Sequence, residues 1–104
     1  MNNQDVRYEL DGQAFVWDSE KYDINKSKHG ITFEEAATVF IKDETKYYHD
    51  EAHSYEEDRF IAIGISNSDN LLMVCHCMRE NDAITRIISA RKAEKHEENL
   101  LRGE

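Results

Sequence analysis

Three runs of β-forming residues crowd the second half of the chain, and they limit the fold more than any other feature. Arg59 to Ser66, Leu71 to Met78 and Ile84 to Ala90 are separated only by Asn67-Ser68-Asp69-Asn70 and Arg79-Glu80-Asn81-Asp82, both built from turn-forming residues. This spacing predicts an antiparallel meander. A polar stretch around Tyr47-Tyr48 predicts a further strand at 45–49, followed by a loop to residue 58. Near the start, Val6 to Leu10 alternates apolar and polar, and Asp11-Gly12 separates it from Gln13 to Trp17. Asp-Gly tolerates the positive φ angles of a tight hairpin, so residues 5–17 read as strand, turn, strand.

Helices fill the remainder. Asp18-Ser19 supplies N-cap oxygens and Glu20 a first-turn negative charge. Lys28-His29 suits a helix C-terminus, and Gly30 offers a left-handed stop. Thr32-Phe33-Glu34-Glu35 has the spacing of a capping box, and Phe33, Ala36, Ala37, Val39 and Phe40 form an apolar stripe over a helix at 32–41. Arg91 to Leu101 predicts a charged closing helix. The order ββ-αα-ββββ-α describes an α+β domain: an antiparallel meander with two N-terminal helices and a C-terminal helix. At 104 residues, one domain over 1–104 is expected.

No run of 18 apolar residues occurs, and Met1-Asn2-Asn3-Gln4-Asp5 lacks the charged-then-apolar pattern of a secretory signal. Two cysteines two residues apart cannot readily meet disulfide geometry on a strand. A cytoplasmic protein is the expectation. The net charge of −9 is uneven: residues 1–58 carry all of it, whereas residues 59–104 are neutral and 59–93 carry +2. Such a balance argues against nonspecific wrapping of nucleic acid but leaves room for a small cationic pocket. It also suits a basic protein partner.

Three constellations could carry chemistry. His49-Asp50-Glu51-Ala52-His53 resembles a zinc-protease helix but has Asp50 where glutamate is required, so a solvated loop is the better reading. Cys75-His76-Cys77 has no second ligand pair, which favours cysteines on a core face with His76 and Met78 on the opposite face. No metal or other cofactor is expected. The third group is cationic: Arg79, Arg86, Arg91 and Lys92. Alternation puts Arg86, Ile88 and Ala90 on one face and Thr85, Ile87, Ser89 and Arg91 on the other. A meander would bring Arg79 and His76 alongside, so these donors either converge on a phosphodiester or pair with the chain's many carboxylates.

In these residues the chain resembles the BrnT family of type II toxins. The shared text runs from Trp17-Asp18 through Lys21, Asn25, Lys28-His29-Gly30-Ile31 and Phe33-Glu34-Glu35-Ala36 to His53-Ser54 and Arg59-Phe60. It ends with Arg86-Ile87-Ile88-Ser89-Ala90-Arg91-Lys92-Ala93. The resemblance implies a RelE-like fold, an endoribonuclease that cleaves mRNA and halts translation and growth, and an N-terminal extension over residues 1–14. It also implies neutralisation by a BrnA-type antitoxin with a DNA-binding ribbon-helix-helix segment, so that DNA is met only through the antitoxin. The family's active-site arginines match Arg79 and Arg91, with Arg86, Lys28, His29 and Lys92 as further phosphate contacts.

Metal-independent cleavage would use the substrate's own 2′-hydroxyl, with Arg79 and Arg91 clamping the phosphate and His76 moving protons. The competing reading is a non-catalytic binding module, an inactive homologue that joins a DNA-binding antitoxin as co-repressor. In it the arginines are structural, and the acidic stretch Asp43 to Asp58 docks a basic partner.

Overall fold

In the computed structural model, which describes residues 4–103, six strands form one sheet in the order β1-β2-β6-β5-β4-β3. The strands are β1 (Asp5–Leu10), β2 (Gln13–Asp18), β3 (Lys46–His49), β4 (Phe60–Ile65), β5 (Leu71–Arg79) and β6 (Ile84–Lys92). The hairpin at the start is present, with Asp11 at φ 51 and Gly12 at φ 78 in its two-residue turn. β3 to β6 form the expected meander. The sheet as a whole is mixed, because β2 pairs parallel to β6 over Ala14–Val16 and Ile84–Arg86. Antiparallel order ends there for a topological reason: the chain leaves β2 for helices and three further strands before β6 arrives beside it.

Helix α1 (Ser19–His29) starts directly after β2. The Asp18 carboxylate accepts from the Lys21 amide at 2.9 Å, and Gly30 closes the helix in the left-handed region by donating to the Lys26 carbonyl. β2 pairs with β6 only as far as Arg86, so α1 takes over the edge that β2 abandons. The Asn25 side chain acts as a missing strand there. Its Oδ1 accepts from the Ala90 amide at 3.0 Å, while its Nδ2 donates to the carbonyls of Ala90 (2.9 Å) and Ile31 (3.2 Å). Asn25→Ala strands these buried groups without partners. A loss of about 2 kcal/mol is expected, read as a lower urea midpoint at unchanged slope.

Helix α2 is shorter than the apolar stripe suggested. It spans Phe33–Ala37 and tightens into a 3₁₀ turn over Thr38–Ile41. Thr32 caps it through the Glu35 amide, but the Glu35 carboxylate does not return to the cap. It accepts instead from Ser66 Oγ (2.6 Å) and Asn70 Nδ2 (2.8 Å), tying the helix to the β4–β5 turn. The closing helix is also reduced. Residues 91 and 92 stay in β6, paired with Met73 and Leu72, and α3 covers only Glu98–Arg102 after a 3₁₀ turn at Lys95–Glu97.

The main core lies between the sheet and α1–α2. Phe15, Trp17, Phe33, Val39, Leu72 and Ile87 are among its fully buried members, and Trp17 stacks on Tyr22 while meeting Phe33 edge-on. α3 covers part of the other face beside β3 and β4, where Tyr48 donates to the Leu100 carbonyl.

Candidate active site

The geometry of the site depends on one irregularity. Between Cys75 and His76 the β5–β6 register shifts, so that Ser89 opposes Cys75 and Ile87 opposes His76, leaving Ile88 as an extra residue in β6. The bulge lets both Ile87 and Ala90 face the core. It also turns Arg86 and Arg91 to the same, opposite face, although strict alternation had separated them.

β5 alternates cleanly. Leu72, Val74, His76 and Met78 lie on the core face, and Met73, Cys75, Cys77 and Arg79 on the face shared with Arg86. The cysteines and His76 do lie on opposite faces, but it is His76 that joins the helix side. His76 is 3% exposed, its Nδ1–H donates to the Val74 carbonyl at 3.2 Å, and Phe40, Tyr47 and Phe60 surround its ring. Burial pushes its pKa below the ordinary value, so it is neutral near pH 7. It cannot serve a phosphate held on the other side of the sheet.

On that other side, Lys21 from α1, Arg59 ahead of β4, Arg79 from β5 and Arg86 from β6 line one cleft of about 200 Å³, with Cys77 and Ile88 in its floor. Two carboxylates accompany them. Asp18 is spent on the α1 cap, and Glu57 forms a two-pronged ion pair with Arg79, one contact being Nη2 to Oε1 at 3.1 Å. That hydrogen-bonded pairing lowers the Glu57 pKa and raises that of Arg79. Arg86 is held by Asp5 at 3.1 Å. Two of the four cations, Lys21 and Arg59, carry no local signal of a phosphate-binding role in the sequence, because only the placement of α1 and the 50–59 loop makes them converge.

Beside the cleft, and sharing Glu57 and Arg59 with it, lies a second hollow of about 220 Å³ lined by His53, Tyr55 and Glu56. His53 is exposed, and its Nδ1 faces both oxygens of Asp50 at 3.0 and 3.2 Å. A carboxylate on one ring nitrogen orients the imidazole and leaves Nε2 to exchange protons. The stretch His49 to His53, unsuited to zinc, thus carries an oriented histidine next to the arginines. Among the described residues, no group of three or more His, Cys, Asp or Glu side chains could hold a metal ion.

The remaining expected residues lie elsewhere. Arg91 opposes Met73, six residues before Arg79 on β5, which puts the two arginines roughly 20 Å apart along the sheet. One phosphate cannot be clamped by both. Arg91 instead donates from both terminal nitrogens to Glu97 at 2.8 Å, and Glu97 also accepts from the Glu94 amide, so Arg91 anchors the closing segment. Lys28 and His29 sit in the last turn of α1, complementing its C-terminal dipole, and Lys92 is exposed at the end of β6. None of these three lines the cleft.

The Arg91 guanidinium lowers the Glu97 pKa from the ordinary 4.5 to about 2. A carboxyl depressed on folding contributes stability above its unfolded pKa and loses it as pH falls toward the folded one. Wild type should therefore lose thermal stability more steeply than Glu97→Gln between pH 4.5 and 2, with parallel curves above pH 6, as read by melting temperature across that range.

A family model described as the ribonuclease toxin BrnT of type II toxin–antitoxin systems matches residues 17–97. A crystal structure of the Brucella abortus ribonuclease toxin BrnT superposes with a TM-score of 0.60 at 26% identity, covering 76% of this chain and 94% of that one. No curated protein matches. Among the described residues, no helix is long and apolar enough to cross a membrane.

Proposed function

Since the chain belongs to the BrnT family of type II ribonuclease toxins, we propose that it is a metal-independent endoribonuclease on a RelE-like scaffold that cleaves mRNA in the cytoplasm and arrests translation. The observation that carries this reading is the convergence of Lys21, Arg59, Arg79 and Arg86 on one cleft in a chain whose net charge is −9. Cations gathered against such a background need a reason, and a phosphodiester supplies one.

The chemistry follows from these positions. The 2′-hydroxyl attacks the adjacent phosphorus in line, the 5′-oxygen leaves, and a 2′,3′-cyclic phosphate remains. Arg79 and Arg86 hold the non-bridging oxygens and stabilise the charge that grows on them. Glu57 and Asp5 occupy those arginines in the absence of RNA and are displaced by the phosphate. His53, oriented by Asp50, takes a proton from the 2′-hydroxyl or delivers one to the leaving oxygen. Lys21 and Arg59 hold neighbouring phosphates. Arg91 and His76 are assigned structural parts instead of the catalytic ones expected of them.

A type II toxin has an antitoxin partner, and the family resemblance makes it a BrnA-type ribbon-helix-helix protein through which any contact with DNA is made. The test of the enzymatic reading is product chemistry. Purified protein incubated with a short single-stranded RNA should yield 3′ ends carrying cyclic phosphate. A single 2′-deoxy substitution at the cut position should abolish the cut. Intact RNA from confirmed folded protein, with and without ribosomes, would sink it.

A further inference from the structure

The core face of the sheet is not closed everywhere. Past the end of α2, Phe40, Tyr47, Phe60, His76 and Met78 wall a hollow of about 310 Å³, with Gln13 and Thr85 as its polar edges. Tyr47 is 51% exposed beside it. A second hollow of about 460 Å³ continues from it around the sheet's end, sharing Phe60 and Met78 and lined otherwise by Glu57, Asp58 and Asp82. The setting is acidic throughout: residues 43–58, which contain β3 and the loop after it, carry seven carboxylates against the single cation Lys46.

An aromatic socket opening onto carboxylates fits a particular ligand, an apolar side chain flanked by lysines or arginines. It repels an RNA backbone, which the cationic cleft on the opposite face accepts. We propose that this socket docks a basic amphipathic segment of the antitoxin, an apolar anchor entering between Phe40, Phe60 and Met78 while adjacent cations meet Asp58 and Asp82. The identity of the partner rests on the toxin reading; the binding itself does not. Docking there puts the partner at the end of β5, next to Glu57 and Arg79 on the rim of the cleft, where it shields the cleft without entering it.

Two of the methionines report on the two faces, Met78 in the socket and Met73 on the other face of β5. With ¹³C-methyl methionine in the full chain, a synthetic amphipathic Lys/Leu peptide bearing one central Phe should shift the Met78 methyl and leave Met73 in place. Its Glu/Leu counterpart should shift neither. Asp58 and Asp82 are exposed, so the double variant Asp58→Lys/Asp82→Lys should fold and bind the Lys/Leu peptide at least about tenfold more weakly. Equal binding of both peptides, a shift confined to Met73, or a Met78 shift produced by short single-stranded RNA and not by the peptide would each overturn the proposal. RNA cleavage is measured separately, so loss of that activity and loss of this docking site are told apart.

Discussion

Arg79→Ala should lower RNA cleavage by about 100- to 1000-fold, the usual effect of removing one preorganised donor from a developing oxyanion. Arg79 is placed for this part by three neighbours: Glu57 grips its guanidinium, its Nη1 lies 2.9 Å from Cys77 Sγ, and β5 fixes its stem. The folded state should hardly notice the loss. Both members of the Arg79–Glu57 pair are more than a third exposed, at 38% and 43%, and pairs in that setting contribute about 0–1 kcal/mol. Induced expression in a bacterial host separates the effects: wild type arrests growth with RNA decay, and Arg79→Ala accumulates as folded protein without arrest. Arg91→Ala run beside it should remain toxic while its C-terminal segment loosens, the reverse of what sequence alone suggested. If Arg91→Ala loses toxicity and Arg79→Ala keeps it, the cleft is not the site.

Trp17→Ala should cost about 3–5 kcal/mol, a large part of the 5–15 kcal/mol that stabilises a domain of this size. The indole is 2% exposed and sits between three rings: Tyr8 at 5.5 Å, Tyr22 at 5.9 Å and Phe33 at 5.7 Å between centroids. These rings come from β1, α1 and α2, so their shared neighbour joins the hairpin to both helices. Its removal leaves a cavity the rigid sheet cannot collapse into. The chain has no other tryptophan, so far-ultraviolet circular dichroism in urea is the suitable readout. A midpoint within experimental error of wild type would mean that the helices are held by something else.

The elements were legible because each was written locally. Asp11-Gly12 set the hairpin, Asp18 and Gly30 set the limits of α1, and turn residues set the meander. What escaped depended on contacts between distant parts of the chain. No local pattern announces that β2 will lie parallel to β6, since that follows from where the chain returns after two helices and three strands. The bulge at Ile88 was hidden because Ile87-Ile88-Ser89-Ala90 reads equally well as regular alternation, and a one-residue slip moves each following side chain to the other face. That slip is why Arg86 and Arg91 end on one face. The cationic cleft was half visible: Arg79 and Arg86 stood out as strand cations, whereas Lys21, Arg59 and His53 are surface-type residues until α1 and the 50–59 loop carry them alongside. His76 misled for the opposite reason, since a histidine between two cysteines attracts a functional reading whichever face it takes.

The pairing of β2 with β6 joins Ala14 to Ile84, and Asn25 reaches Ala90 across 65 residues. During synthesis neither contact can form until residues 84 to 90 have left the ribosome. Contacts so distant in sequence also make folding slow, because the loop must close before anything rewards it. The cleft draws Lys21 from one side of this seam and Arg86 from the other, so it is among the last features to exist. A chain synthesised only as far as β5 therefore has one side of the cleft and not the other, and the four cations are separate surface charges until β6 is laid beside β2.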